Sequence, residues 1–381
     1  MRVLVHLKAL EPLGGVEQCV LEDATSLVRR GHDVHVAYGA DGSARPAYEA
    51  LGARLGGPFG FELDKRHPLR MARDYLPAAR WAVRERVDVV WLQRFEHVFW
   101  GQAVARYARR PLVATLHEVP MFNRVRLLGT GVAHYTAVSE HVRQAWVRQG
   151  LPAERVTTVA NAVSPDDYPF TGPAERAARR AELGLPQDVP VVLCYGRTVE
   201  GKGVGDLCEA WQLYRTQRLE AGLPVGVLVL LGDPHPSHDP EVAKRFAALD
   251  PAEVRWLPAT RDVRPHLQAC DVVVFPTRLD EAFGRVVIEA MSSGRPCLAT
   301  RSGAVPELLE GGFEDHLVPA RDPAALAAGL ARLVTGAGAD PSLGARCRDW
   351  VEQRFPYSRH EDEVERVLLE AAGRGRRVRD A

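Results

Sequence analysis

Residues 1–38 read MRVLVHLKALEPLGGVEQCVLEDATSLVRRGHDVHVAY, and this opening sets the fold of the whole chain. VLVHL at 3–7 is a short apolar run of strand type, followed by a loop that carries Gly14-Gly15. An amphipathic stretch from Glu17 to Arg30 comes next, closed by Gly31, and HDVHVAY at 32–38 is a second strand. Strand, helix and strand at this spacing predict parallel pairing through a crossover helix.

The same rhythm continues outward. VDVVWL at 87–92, PLVATLH at 111–117, HYTAVS at 134–139 and VTTVA at 156–160 extend the first series. SPDDYPFTGP after Ser164 is rich in turn formers, and the charged helix AERAARRAELGL leads to a proline, so this segment reads as an interdomain connection. A second series follows with VVLCYG (191–196), VGVLVLLG (225–232), VRWLP (254–258), DVVVFP (271–276) and RPCLAT (295–300). The expectation is an α/β chain of two Rossmann-like, doubly wound domains facing a cleft. The first spans 1–165, and the linker plus second domain 166–355. A final helix from Tyr357 and a basic tail occupy 356–381. In such sheets ligands bind at the carboxyl ends of the strands.

Composition narrows the function. The 381 residues carry 49 Lys+Arg against 49 Asp+Glu, and a zero net charge argues against a nucleic-acid binder, which needs a basic excess. No apolar run approaches the roughly 18 residues of a spanning helix, and the start lacks a signal peptide, so a cytoplasmic protein is expected. Six cysteines without CxxC spacing read as reduced and buried. His235-Pro-Ser-His238-Asp239 has metal-like letters in a turn-rich context and reads as an exposed loop; no metal is expected. Lys65–Arg86 is rich in basic residues, and an arginine-rich solvated face is favoured there over peripheral contact with an anionic membrane.

Two segments carry chemistry. After strand 191–196 come Gly196-Arg197-Thr198-Val199-Glu200-Gly201-Lys202-Gly203. Glycines let backbone N–H groups approach phosphate oxygens, arginine offers a planar fork, and lysine a point charge. A polar turn with solvated charges explains this loop equally well. Pro276–Met291, PTRLDEAFGRVVIEAM, is more specific, with Glu281 in a loop and Glu289 about one turn into the next helix. Glu289 falls inside an apolar stretch, where an acid ordinarily has a partner.

Together with the Gly14-Gly15-Val16-Glu17 loop and Ser302-Gly303-Ala304-Val305-Pro306-Glu307, these motifs resemble the retaining, metal-independent glycosyltransferases of family 4. The likeness is ordered along nearly the whole chain. It implies the GT-B fold, with an N-terminal acceptor domain, a C-terminal nucleotide-sugar domain and a last helix that crosses back. It implies that Arg197 and Lys202 neutralise the donor diphosphate, that Glu289 binds the nucleotide ribose, and that Glu281 meets the donor sugar's hydroxyls. Gly15 would offer a backbone N–H to the phosphate, and His117 would stand beside donor sugar and acceptor. Phe283, Gly284 and Arg285 complete the implied donor side; Glu17, Glu118, Met121 and Phe122 form the implied acceptor side. Three positions depart from the family pattern: Ala162 where Gly is common, Gly201 where Glu precedes the lysine, and Arg285 where Leu is common.

The expected activity is sugar transfer from a nucleoside-diphosphate sugar, a UDP-sugar by preference, to an acceptor hydroxyl. Other activities on the same plan are a sugar-nucleotide epimerase, a phosphorylase or a non-catalytic nucleotide-sugar binder. The loops at 93–101 and 118–127 carry Phe95, Phe99, Trp100, Met121 and Phe122, which stack on a sugar or cyclitol ring or simply pack the domain.

Overall fold

A computed structural model describes residues 1–11, 14–64, 66–121 and 123–377. The chain divides into two compact units, Met1–Asn161 with Ser358–Ala381, and Ala162–Tyr357.

The first unit is built on seven parallel strands: β1 (Arg2–Ala9), β2 (Asp33–Ala40), β3 (Arg54–Gly56), β4 (Val89–Leu92), β5 (Leu112–Leu116), β6 (His134–Ala137) and β7 (Val156–Thr158). Their order is β3-β2-β1-β4-β5-β6-β7. In register, Val3 faces Val34 on one side and Val89 on the other. The second unit has six: β8 (Val191–Tyr195), β9 (Val227–Leu231), β10 (Val254–Leu257), β11 (Val272–Phe275), β12 (Cys297–Arg301) and β13 (Leu317–Pro319), in the order β10-β9-β8-β11-β12-β13. Every strand pairing in both sheets is parallel. Two of the four edge strands, β3 and β13, have three residues each, too few to show a period-2 pattern, and only the structure reveals them.

Central strands such as VVWL and VVVF are buried on both faces, as a sheet covered by helices on each side requires. All six cysteines are buried and unbridged. Burial lifts the thiols of Cys194, Cys208, Cys270 and Cys347 to about 12, so they are packing groups rather than nucleophiles.

The last helix, Tyr357–Arg377, belongs to the first unit. Val364, Val367, Leu368, Ala371 and Ala372 join its core, beside Val20, Ala24 and Leu27 of helix Gly15–Arg29. Arg30 Nη1 donates to Glu365 at 2.7 Å and Nη2 to Asp362 at 2.8 Å, while His32 Nε2 lies 2.6 Å from Glu365. The segment expected as a basic tail continues this helix to Arg377, and 378–381 lie outside the described residues. Helix Pro68–Arg84 buries Tyr75, Ala78, Ala79, Trp81 and Ala82 and exposes Arg70, Arg73, Arg80 and Arg84; Lys65 is outside the described residues. Among the described residues no helix is long and apolar enough to cross a membrane.

Candidate functional site

In the second unit, the loops after β8 and β11 come together. Gly203 has φ +73°, and a Cβ there would lie 1.8 Å from the Pro276 carbonyl oxygen, so only glycine lets these loops touch. Lys202 Nζ then donates to Glu281 Oε2 at 2.8 Å, and Thr277 Oγ1 reaches the same oxygen at 3.2 Å. The Lys202 ammonium also sits 5.5 Å from the centre of the Phe275 ring. Arg197 is exposed and makes no ion pair or hydrogen bond to the described residues, which leaves its fork available to an anion. Glu200 is bound by both Arg278 and Arg245, and Arg278 Nε also donates to Asp206 at 2.6 Å. The loop's one internal acid therefore does not cancel Arg197.

Glu281 is held from behind. Ala304 N donates to its carbonyl oxygen at 2.8 Å, and a Cβ on Gly303 (φ +54°) would lie 2.3 Å from its backbone nitrogen. Helix Arg285–Ser292 then starts at Gly284, whose φ of +99° turns the chain after the buried Phe283. Glu289 is buried in that helix, as its apolar neighbours demand, and both oxygens are occupied. Tyr195 Oη donates to Oε2 at 2.7 Å and Arg285 Nε to Oε1 at 3.0 Å. Arg285 is thus turned onto Glu289 instead of standing free. Burial and the neighbouring carboxylate push the Tyr195 phenol well above its usual range, keeping it a donor.

In the first unit, Gly15 opens helix Gly15–Arg29, exposed and with space for a side chain. Gly14 has no such space: a Cβ would meet Glu17 Oε2 at 2.3 Å. Glu17 accepts from Arg94 Nη2 at 2.6 Å. His117 follows β5, and its Nε2 lies 2.9 Å from Gln93 Oε1. Burial, then the nearby Arg94 and His360 cations, push its imidazole down to about 3, so it is neutral at physiological pH. A shallow crevice of about 30 Å³ beside it is lined by Gln93, Arg94, Phe95, Glu96, Glu118 and Trp146, among others. Met121 stands 74 % exposed at its edge, and Phe122 is outside the described residues. Trp100 and Phe95 are buried packing residues. His235 packs against Trp256 with ring centres 4.5 Å apart, and among the described residues no cluster of three or more His, Cys, Asp or Glu is arranged to hold a metal.

Gln93, Arg94, Tyr195 and Thr277 were not expected in the site. Each lies within two residues of a strand's carboxyl end, a positional signal the sequence does carry.

Residues 13–167 match the model of Glycosyltransferase Family 4, and residues 189–336 that of Glycosyl transferases group 1. Both halves of the chain are glycosyltransferase domains. The family 4 domain lies within the first series of strands, and the group 1 domain holds Arg197, Lys202, Glu281 and Glu289. Along the full length the chain is similar to the D-inositol 3-phosphate glycosyltransferase of Xylanimonas cellulosilytica, at 27% identity over 97% of this chain and 93% of that one. The Streptomyces coelicolor protein of the same name is 30% identical over 56% of this chain, and the chain spans about half, 47%, of its length. Among solved structures, HepE of Anabaena in complex with UDP-glucose superposes with a TM-score of 0.82 at 23% identity, covering 97% of this chain and 100% of that one. WaaG, a glycosyltransferase involved in lipopolysaccharide biosynthesis, gives 0.72 at 18%, over 96% and 99%. The two parallel-sheet domains have the GT-B fold.

Proposed function

We propose that the protein transfers a sugar from a nucleoside-diphosphate sugar, UDP-sugar by preference, to an acceptor hydroxyl, with anomeric configuration retained and no metal required. The observation that carries this is the 2.8 Å contact between Lys202 and Glu281 beside an unpaired Arg197. Two cations and a carboxylate at the carboxyl ends of β8 and β11 suit a diphosphate and the hydroxyls of an attached sugar. The UDP-glucose complex of the similarly folded HepE supports the donor class. In this reading Ala162–Tyr357 binds the donor, and Met1–Asn161 with the last helix binds the acceptor. The cytoplasm is the proposed compartment, which six unbridged cysteines support.

Donor binding would exchange partners at Lys202. The ammonium leaves Glu281 for the diphosphate, and the freed carboxylate accepts from the sugar's hydroxyls. As the bond from C1 to the phosphate oxygen breaks, charge grows on the diphosphate, where Arg197 and Lys202 stabilise it. The acceptor oxygen bonds C1 from the same face, and its proton passes to the departing phosphate oxygen. In this reading Glu281 is not the nucleophile: once Lys202 leaves, its carboxylate is taken up by the sugar's hydroxyls and by Thr277 Oγ1, 3.2 Å from Oε2. His117, neutral and tied to Gln93, serves as a hydrogen-bonding group beside the sugar.

Glu281→Gln, incubated with donor and followed by mass spectrometry, is expected to show no sugar attached to the chain. A covalent adduct on another carboxylate would overturn the front-face step. An inverted anomer in the wild-type product, read by NMR, would overturn retention.

A further inference from the structure

Lys202 is tied to the loop after β11 on both of its sides. Before it, the Gly201 carbonyl oxygen accepts from Arg278 N at 3.0 Å, and Arg278 Nη1 donates to Glu200 Oε1. After it, Gly203 lies so close to the Pro276 carbonyl that no Cβ fits between them. Residues 200, 201 and 203 are thus fixed to 276–278, with Lys202 in their midst.

The Arg278 side chain makes a further tie. Its Nε donates to Asp206 Oδ2 at 2.6 Å and its Nη2 to Oδ1, a fork on the first turn of helix Val204–Glu220. One guanidinium therefore bridges the residues before Lys202 and the helix after it. Glu200 is held from the far side as well. Arg245 Nη1, on helix Pro240–Ala247, lies 3.2 Å from both of its oxygens, and its backbone nitrogen donates to Asp239 Oδ2 at 2.8 Å. Asp206 is buried, and a buried ion pair adds little net stability because desolvation offsets the attraction. What the planar fork does supply is a fixed register between the ends of β8 and β11. Glu281, the partner of Lys202, follows Arg278 by three residues in the same loop.

We infer that Arg278 is a positioning residue, which holds the backbone at 200–203 so that the Lys202 ammonium reaches the donor diphosphate from a loop already in place. This rests on the donor reading proposed above. Arg278 acts through Lys202 and not on the phosphate, since each of its guanidinium nitrogens is already engaged by a carboxylate.

The test combines two measurements on the full chain. Arg278→Lys keeps a cation beside Asp206, but a point charge cannot fork Asp206 and reach Glu200 together. In the free variant, hydrogen exchange at the Lys202 and Gly203 amides should be about tenfold faster than in the wild type, with β11 unchanged. Calorimetric titration with UDP should show binding about tenfold weaker. In a Lys202→Ala background the same substitution should cost less than about twofold, because the residue it acts through is gone. Glu200→Gln removes only the charge of the loop-side tie; it should give the same pattern at about threefold, and it decides the matter if Arg278→Lys does not fold. Unchanged exchange at 202 and 203 would overturn the inference. So would a UDP penalty that persists in full beside Lys202→Ala, which would make Arg278 a phosphate ligand in its own right. If the wild type does not bind UDP, the donor reading falls, and the exchange rates alone decide whether Arg278 pins the loop.

Discussion

The loops after β8 and β11 in the second unit and the His117 crevice of the first are assembled in opposite ways. In the second unit, two short segments, 196–203 and 276–291, supply nearly every charge, and apart from Arg197 those charges meet one another: Lys202 with Glu281, Arg285 with Glu289, Arg278 with Glu200 and Asp206. In the first unit, the residues around His117 come from the ends of β4 and β5, from helix Glu140–Arg148 and from the loop after β5, and they leave Glu118 and the Gln93 amide unmatched. A ligand that brings its own negative charge suits cations that exchange partners.

The largest effect should come from Lys202→Ala. In the proposed reaction the ammonium would act where charge grows during bond breaking, so its loss should lower kcat as well as donor binding, by about 10²–10³-fold in kcat. It also frees Glu281 from its one ion pair, so donor Kd and kcat should be measured separately. A wild-type kcat in this variant would show that the loop after β8 is not the phosphate site. The comparison between the two units would then lose its donor half.

Much of this contrast was legible beforehand, and the remainder was not for physical reasons. The two units, the helix after the Gly14-Gly15 loop and the acidic pair Glu281 and Glu289 follow from periodicity and from motifs confined to one loop and one turn of helix. What periodicity does not encode is where a long side chain goes. Arg285 reads as a free cation near the donor, yet an i,i+4 spacing within a helix is enough to turn it onto Glu289. Tyr195, the other partner of Glu289, lies 94 residues away, beyond any local pattern. Gln93 and His117 are 24 residues apart and meet only because β4 and β5 are neighbours.

A smaller effect is expected at Glu289, which in the proposed reading would bind the nucleotide ribose, a group whose contacts change little during reaction. Glu289→Gln should raise donor KM by about tenfold and leave kcat nearly unchanged. Tyr195→Phe should do the same more weakly, since it removes one of the two hydrogen bonds that orient the carboxylate. If Tyr195→Phe lowered kcat as much as Lys202→Ala, the pairing of Glu289 would belong to the chemistry rather than to binding.

The smallest effect concerns the first unit's last helix. His360 Nε2 lies 2.7 Å from Asp23 Oδ1 and Nδ1 lies 2.8 Å from the Ala160 carbonyl oxygen, so both ring nitrogens have acceptors, as an imidazolium requires. Burial lowers the imidazole, and Asp23 more than offsets it, so the net shift is upward from 6.5. A raised folded pKa means the folded chain holds the proton more tightly. The resulting stability is complete below about pH 6.5 and is lost as pH rises through the folded value. His117, held down at about 3, has the opposite sign: its contribution is complete above about 6.5 and is lost only on acidification. Above pH 6.5 the two therefore separate, and of this pair only His360 titrates as pH rises through its folded value. The Tm of the wild-type chain should fall across that window by on the order of a few degrees, while His360→Gln should start lower and follow a flatter curve. Equal slopes in the two proteins would mean that the Asp23–His360 contact carries no charge.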